Sequence, residues 1–199
     1  AIENGAVCAI TEFQIGNAPC IVVENTRKAL LDLAKYYRSK FSPVLVGVTG
    51  SVGKTTSKEM IALALSAKYK TLKNEGNLNN EIGVPLTLLR IRPEHEVAVV
   101  EMGISDFGEM HRLSKMARPD IAVITNIGRC HLENLKDRDG VLRAKTEIFD
   151  FMAENGTVCL NGEDDKLCTV TAPAGRRLFR FGFSPKEEGL VTASDVESK

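Results

Sequence analysis

From Pro43 onward the chain alternates short, nearly unbroken apolar runs with longer amphipathic segments. "VLVGVT" (44–49), "VAVVEM" (97–102), "IAVITN" (121–126) and "TVCLN" (157–161) are the clearest runs, and "RRLFRFGF" (176–183) makes a fifth. A strand with one wet face alternates apolar and polar positions, whereas a strand without that alternation is covered on both faces. Helices are predicted between the runs: one from about Lys54 to Lys68, one opened by Asp106, and one through "DGVLRAKTEIFDFM" (139–152). Glu109 stands three places after Asp106, the spacing of a capping box. This pattern predicts an α/β fold with a mostly parallel sheet and helices on both faces. In such sheets ligands bind beyond the carboxyl ends of the strands.

The stretch before Pro43 reads differently. Two short strands are expected at "AVCAI" (6–10) and "CIVV" (20–23), then a helix over "ENTRKALLDLAKYYRSKF" (24–41). Leu30, Leu33, Ala34, Tyr37 and Phe41 are read as its apolar face, and Asn25 or Thr26 as its cap. Ser42 precedes a proline and is biased away from helix. A domain boundary is placed there, at about 42.

Charge narrows the options. Lys+Arg and Asp+Glu balance at 26 each among 199 residues, so no long-range field draws the chain to nucleic acid or to an anionic membrane. The apolar runs fall far short of the roughly 20 residues that span a bilayer, so membrane insertion is not expected. "AIENGAVCAI" lacks the basic-then-apolar layout of a secretory signal. The five cysteines, Cys8, Cys20, Cys130, Cys159 and Cys168, are odd in number and show no C-x-x-C spacing. They are read as reduced, mostly buried small hydrophobes of a cytoplasmic protein.

Candidate chemistry begins at "GVTGSVGKTT" (47–56). The strict phosphate-loop pattern G-x-x-x-x-G-K-[ST] is met at Gly53, Lys54 and Thr55, but its first glycine falls on Val48, with Gly47 one position too early. The context is nevertheless that of a phosphate loop, because a buried strand ends at Thr49 and a helix starts at Lys54. Gly50 and Gly53 allow unusual backbone angles, and the helix N-terminus presents N–H groups to an anion. Lys54 can bridge outer phosphates and the Thr55 hydroxyl can ligate magnesium. Glu101 ends another buried strand, and a buried carboxylate must be paired or bind a cation. A magnesium shared with Thr55 and a structural salt bridge are its two readings. Asn126 and His131 fall just beyond the third apolar run, on the ligand-bearing edge. His95 and His111 have no such placement and are read as surface residues. Spacing alone makes Lys145 and Glu147 a solvated helical face. "DFG" (106–108) lacks the catalytic loop that would make it a kinase motif.

The loop "VTGSVGKTT", followed in order by "VEMG", "TNIGRCHLENL" and "RAKTEIF", closely resembles the central domain of the Mur ligases, ATP-dependent enzymes that form amide bonds in peptidoglycan synthesis. The family's loop has the form T-G-[ST]-x-G-K-[ST] and lacks the first glycine, so Val48 is no departure from it. "GNLNNEIGVPLTLL" (76–89) with "VEMG" is similar to the branch that adds D-alanyl-D-alanine to UDP-N-acetylmuramoyl-tripeptide. The likeness runs over roughly residues 1–199.

The resemblance implies that Gly50, Ser51, Val52, Gly53, Lys54, Thr55 and Thr56 hold the ATP phosphates, with Thr55 and Glu101 on a first Mg2+ and His131 at a second. Lys145 matches a lysine that the family carbamylates into an anionic magnesium ligand, which needs the neutral amine. Asn80 and Asn126 match polar positions near nucleotide and substrate. The implied reaction passes a phosphoryl group to a substrate carboxylate, and the amine of the incoming dipeptide displaces phosphate from the acyl phosphate. Residues 1–42 then read as the end of an N-terminal UDP-substrate domain, and 43–199 as a central ATP-binding domain cut short at "TASDVESK", without the C-terminal domain. The fragment alone is expected to be inactive. Two alternatives remain: another ligase of the superfamily, of folylpolyglutamate or cyanophycin synthetase type, and a nucleotide-binding module without ligase activity.

Overall fold

The strand Val44–Thr49 (β3) is an interior strand, third in the order of a seven-stranded parallel sheet. The computed structural model describes residues 2–183 and 190–192; the segment 193–199, where the sequence reading ends the central domain, lies outside them. The other strands are Thr71–Lys73 (β4), Val97–Glu101 (β5), Ile121–Ile124 (β6), Thr157–Asn161 (β7), Arg177–Gly182 (β8) and Leu190–Thr192 (β9). Their spatial order is β4-β5-β3-β6-β7-β8-β9. Each apolar run of the sequence became a strand. β4 was not anticipated, because only Leu72 of its three residues is apolar and buried.

Side chains alternate across the sheet as strand geometry requires. Leu45, Ala98, Val100, Ala122, Ile124, Val158 and Leu160 face one layer, and Val46, Val48, Val97, Val99 and Val123 face the other. The helix Lys54–Ser66 (α2) covers the second face through Ile61, Ala62 and Leu65. The first face is covered by Gly83–Leu88 (α3), Glu109–Ala117 (α4) and Arg138–Thr146 (α6), with the helix Thr26–Arg38 (α1) packed on α3 and α4. Burying each Val or Leu side chain contributes about 1.5–3 kcal/mol, so both faces of the central strands stabilise the sheet.

Several local expectations are corrected. On α1, Leu33 is exposed, and Leu31, Ala34, Tyr37 and Phe41 meet the core, a shift of the apolar face by part of a turn. Asn25 does cap α1, accepting from Lys28 N at 2.8 Å. Only half of the capping box at Asp106 forms. Glu109 accepts from Asp106 N and Ser105 N, while Asp106 turns onto Phe107 N, and α4 begins at Glu109 after a left-handed Gly108. The helix expected over 139–152 ends at Thr146 and tightens into a single 3-10 turn, Glu147–Phe149. Glu147 is not a solvated face residue, since its carboxylate accepts from Gly108 N and His111 N and caps α4. No cysteine is fully buried: Cys8 and Cys168 are exposed and the other three are half-buried, all unpaired. Cys159, in the middle of β7, packs against the core cluster on the α2 side of the sheet, while the others lie at strand ends, in loops or in a 3-10 turn.

The two short strands near the start, Ala9–Thr11 (β1) and Cys20–Val22 (β2), pair with each other in a separate parallel sheet. Among the described residues, no helix is long and apolar enough to cross a membrane.

Strand order positions the site. The chain steps from β3 outward to β4, returns to β5 beside β3, and then crosses to β6 on the other flank. The crossover reverses at β3, and loops leaving β3, β5 and β6 meet at one edge. Because α3 has no counterpart in the apolar periodicity, its packing is the part of this arrangement to check. Leu88→Ala on α3 (0% exposed) should cost about 2–5 kcal/mol, whereas Leu63→Ala on α2 (76% exposed) should stay within about 0.5 kcal/mol. Denaturant unfolding measures both, and equal costs would contradict the packing.

Candidate active site

The loop after β3 resolves the misplaced glycine. Gly47 belongs to the strand: a Cβ there would meet Ile148 and Met102 at 3.1 Å, so it lets the turn after α6 approach the sheet. Val48 is a buried strand residue paired with Glu101 of β5. Gly50 is the glycine that the loop needs. Its φ is +151°, and a Cβ would stand 1.9 Å from Thr125 Oγ1. Gly53 adopts φ +76° and begins α2.

The loop is braced from the end of β6. Asn126 Oδ1 accepts from Ser51 N (3.1 Å) and Val52 N (3.0 Å), and its amide donates to Val52 O. Thr125 Oγ1 donates to Val52 O, and Gly128 N donates to Ser51 Oγ. Lys54 Nζ folds back to donate to Gly50 O (2.9 Å) and Ser51 O (3.3 Å). Thr56 is exposed on the first turn of α2. Asn126 is therefore a brace on the loop, a role its sequence position alone did not specify.

Glu101 is 1% exposed at the end of β5. Thr55 Oγ1 donates to its Oε2 at 2.9 Å, and Asn79 Nδ2 donates to its Oε1 at 2.6 Å. Lys58, fully buried on α2, lies 3.9 Å from Oε2. Asn74 secures the backbone of Glu101 in both directions. Thus the two readings of this residue coexist: a charge partner is present, and so is the oxygen pair with Thr55. Those hard oxygen donors fit magnesium, which is held by one or two protein groups rather than a full cage. No group of three or more His, Cys, Asp or Glu that could hold a metal occurs among the described residues.

A cavity of about 350 Å³ opens beside this carboxylate, lined by Lys54, Asn79, Asn80, Ser105, Glu109 and His131 among others. His131 stands at φ +51° at the start of the short helix Leu132–Leu135 (α5). Asn80 lines the cavity, while its Oδ1 accepts from Ile82 N and Gly83 N to start α3. Lys145 is 1% exposed, and burial pulls its pKa down to about 8, with the Cys130 thiol opposing and Lys54 adding to the fall. Its amine is therefore enclosed rather than in solvent, and near enough to Lys54 to feel its charge. His95 and His111 lie away from the cavity; each makes a local contact, with Arg92 N and with Asp150.

The Mur ligase middle domain matches residues 48–199. The chain belongs to the Mur ligase family. Among its relatives, the UDP-N-acetylmuramoyl-tripeptide–D-alanyl-D-alanine ligase of Bacillus subtilis is 42% identical over 84% of this chain and 37% of that protein. A crystal structure of MurF from Acinetobacter baumannii superposes with a TM-score of 0.88 at 38% identity, over 98% of this chain and 43% of that one. MurF from Thermotoga maritima, solved in complex with ADP, gives 0.83 at 36% identity over 91% of this chain and 42% of that one. The chain therefore spans well under half the length of the Mur ligases it matches.

Sequence reading named the loop, Glu101, His131 and Asn126, and the structure brings them to one edge. It missed Asn74, Asn79, Lys58 and Thr125. The asparagine-rich "KNEGNLNN" (73–80) was a usable signal, since a loop that polar beside a buried carboxylate supplies donors.

Lys145 gives a stability test of this Mur ligase site. Its folded pKa of about 8 lies below the ordinary lysine value, so between the two the unfolded chain binds more protons and stability rises with pH. The burial penalty is complete below that window. Lys145→Met should therefore raise the melting temperature of metal-free, CO2-free protein by roughly 5 °C at pH 7, with the gain shrinking toward pH 10. Thermal denaturation at both pH values checks it.

Proposed function

We propose that this chain is the ATP-binding part of a ligase that adds D-alanyl-D-alanine to UDP-N-acetylmuramoyl-tripeptide through an acyl phosphate. The observation that carries the reading is the phosphate loop with Thr55 Oγ1 resting 2.9 Å from the buried carboxylate of Glu101. Residues 1–42 are assigned to the end of a UDP-substrate domain and 43–199 to the central domain. ATP use and five unpaired thiols favour a cytoplasmic location.

Each side chain has a task in that reaction. The amides from Gly50 to Thr56 and the start of α2 receive the phosphates. Lys54 leaves its loop carbonyls and moves onto the outer phosphate, stabilising the charge that develops on transfer. Thr55 and Glu101 would hold magnesium, whose Lewis acidity offsets phosphate charge when it is bound. Glu101 is held in orientation by Asn79, which donates to its Oε1, with the charge of Lys58 3.9 Å from its Oε2. His131, across the cavity from the loop, is assigned to a second cation.

Lys145 is assigned as the carbamylated lysine. An ordinary lysine is neutral in roughly one molecule in a few thousand at pH 7, whereas a pKa of about 8 makes that about one in ten. The neutral amine attacks CO2, an N–C bond forms, and one proton leaves. The product replaces a buried cation beside Lys54 with an anion, which removes their repulsion.

The deciding experiment measures ADP release by the full-length protein with UDP-N-acetylmuramoyl-tripeptide and a panel of acceptors. D-alanyl-D-alanine should be the acceptor that drives turnover. Turnover with glutamate on a folate instead would support the rival ligase type, and no acceptor-dependent release would leave a binding module.

Two substitutions test the assignments. Lys54→Ala should reduce kcat by at least about 1,000-fold, and near-normal turnover would sink the loop assignment. Lys145→Ala should abolish most activity and regain part of it with added formate or acetate at fixed magnesium. Lys145→Arg should stay inactive, because guanidinium remains charged and forms no carbamate. Wild-type turnover by both variants would reject the carbamate.

A further inference from the structure

Lys58 is a buried cation that the reaction outlined above does not consume. It lies on α2 one turn beyond Lys54 and Thr55, with its side chain 0% exposed. Taking an ammonium out of water costs several kcal/mol unless oxygen partners replace the solvent. A methionine or leucine would fill the same space without that cost, so apolar packing does not account for a lysine here.

Most of its partners belong to one segment. Nζ donates to Asn74 O at 2.9 Å and to Gly76 O at 3.3 Å, and meets Glu59 Oε1 at 3.0 Å. Glu59 in turn pairs with Lys73 of β4. Two of the three contacts are therefore backbone carbonyls of the single segment that follows β4. Glu101, at 3.9 Å, is near enough to feel the charge but too far for a hydrogen bond. The same segment then delivers Asn74 to both backbone groups of Glu101 and Asn79 to its carboxylate. Gly103 N closes the arrangement by donating to Asn79 O at 2.7 Å. Residues 79 and 80 go on to line the cavity that holds Lys54 and His131.

We propose that Lys58 is a positioning residue that ties the segment 74–80 to the phosphate-loop helix, so that Asn79 stays on Glu101 and the carboxylate keeps facing Thr55. The proposal rests on the reading of Thr55 and Glu101 as magnesium ligands and extends it to the machinery behind them. α2 then carries both ends of the connection: its first turn holds the phosphates, and its second turn fixes one wall of the neighbouring cavity.

The test uses full-length protein with Lys58→Met and Lys58→Arg. Hydrogen exchange reads the 74–80 amides, and N-methylanthraniloyl-ADP titrated with and without Mg2+ reads the metal site. Lys58→Met should fold, with exchange over 74–80 faster by about tenfold or more and the central strands unchanged. Its nucleotide affinity without magnesium should stay within about twofold of wild type, while the gain in affinity on adding magnesium falls by about fivefold or more. Lys58→Arg, which keeps the donors, should recover most of the loop protection. Unchanged exchange over 74–80 in Lys58→Met overturns the proposal. So does a Lys58→Met protein that does not fold or exchanges faster throughout, because the lysine is then a general core element. Neither measurement contains a peptide substrate. Failure of the D-alanyl-D-alanine assignment is therefore seen in the ADP-release assay and leaves both readouts intact. A wild type without any magnesium-dependent gain would instead reject the metal-site reading.

Discussion

A carboxylate with almost no exposure, at the end of an apolar strand, has to be given donors from every side, and the rest of the site follows from that requirement. Glu101 is shielded from water, so its neighbours must supply the polar contacts that solvent otherwise would. α2 contributes the Thr55 hydroxyl and, at 3.9 Å, the charge of Lys58, while the segment after β4 sets Asn79 on the carboxylate and Asn74 on the backbone of Glu101. Each of these elements is thereby held in register with β5. The phosphate loop inherits its placement from the same contacts, because Thr55 sits on the first turn of the helix that the loop opens. Parallel pairing of β3 with both β5 and β6 brings the remaining brace, Asn126, to the same edge.

The architecture was legible because burial on both faces leaves a plain mark on a sequence. β3, β5 and β6 are almost continuously apolar, and the alternation of such short runs with longer amphipathic segments is what marks a parallel sheet covered on both faces. β4 left no such mark: at an edge of the sheet, its three residues need only one buried side chain. The apolar face of α1 was misplaced for a related reason. Leu30, Leu31 and Leu33 stand too close together for periodicity to say which of them points inward, and the packing of α3 and α4 decides it.

Within the site, residues with unusual chemistry were found and their supporting donors were not. A glycine loop ending in Gly-Lys-Thr, or a glutamate closing an apolar strand, is conspicuous on its own. Asn74, Asn79 and Lys58 look like ordinary solvated residues of a loop and a helix, and they acquire meaning only when the fold carries them against Glu101. Lys145 shows the limit most plainly. Its spacing describes an exposed helical residue, yet α6 is pressed against the sheet and the amine is enclosed.

Part of the glycine loop's hydrogen-bonding capacity is met from within the protein. Lys54 is satisfied by two carbonyls of its own loop, and Asn126 fills the amides of Ser51 and Val52 with a neutral oxygen. Displacing the neutral Asn126 contacts forgoes about 1 kcal/mol each, and the charge-assisted Lys54 contacts about 1.5–3 kcal/mol each, so an incoming group must offer bonds at least as strong. A neutral or singly charged molecule gains too little in the exchange, while a polyphosphate displaces several neutral acceptors at once. Internal contacts of this kind would bias the loop toward ligands anionic enough to compete with its own side chains.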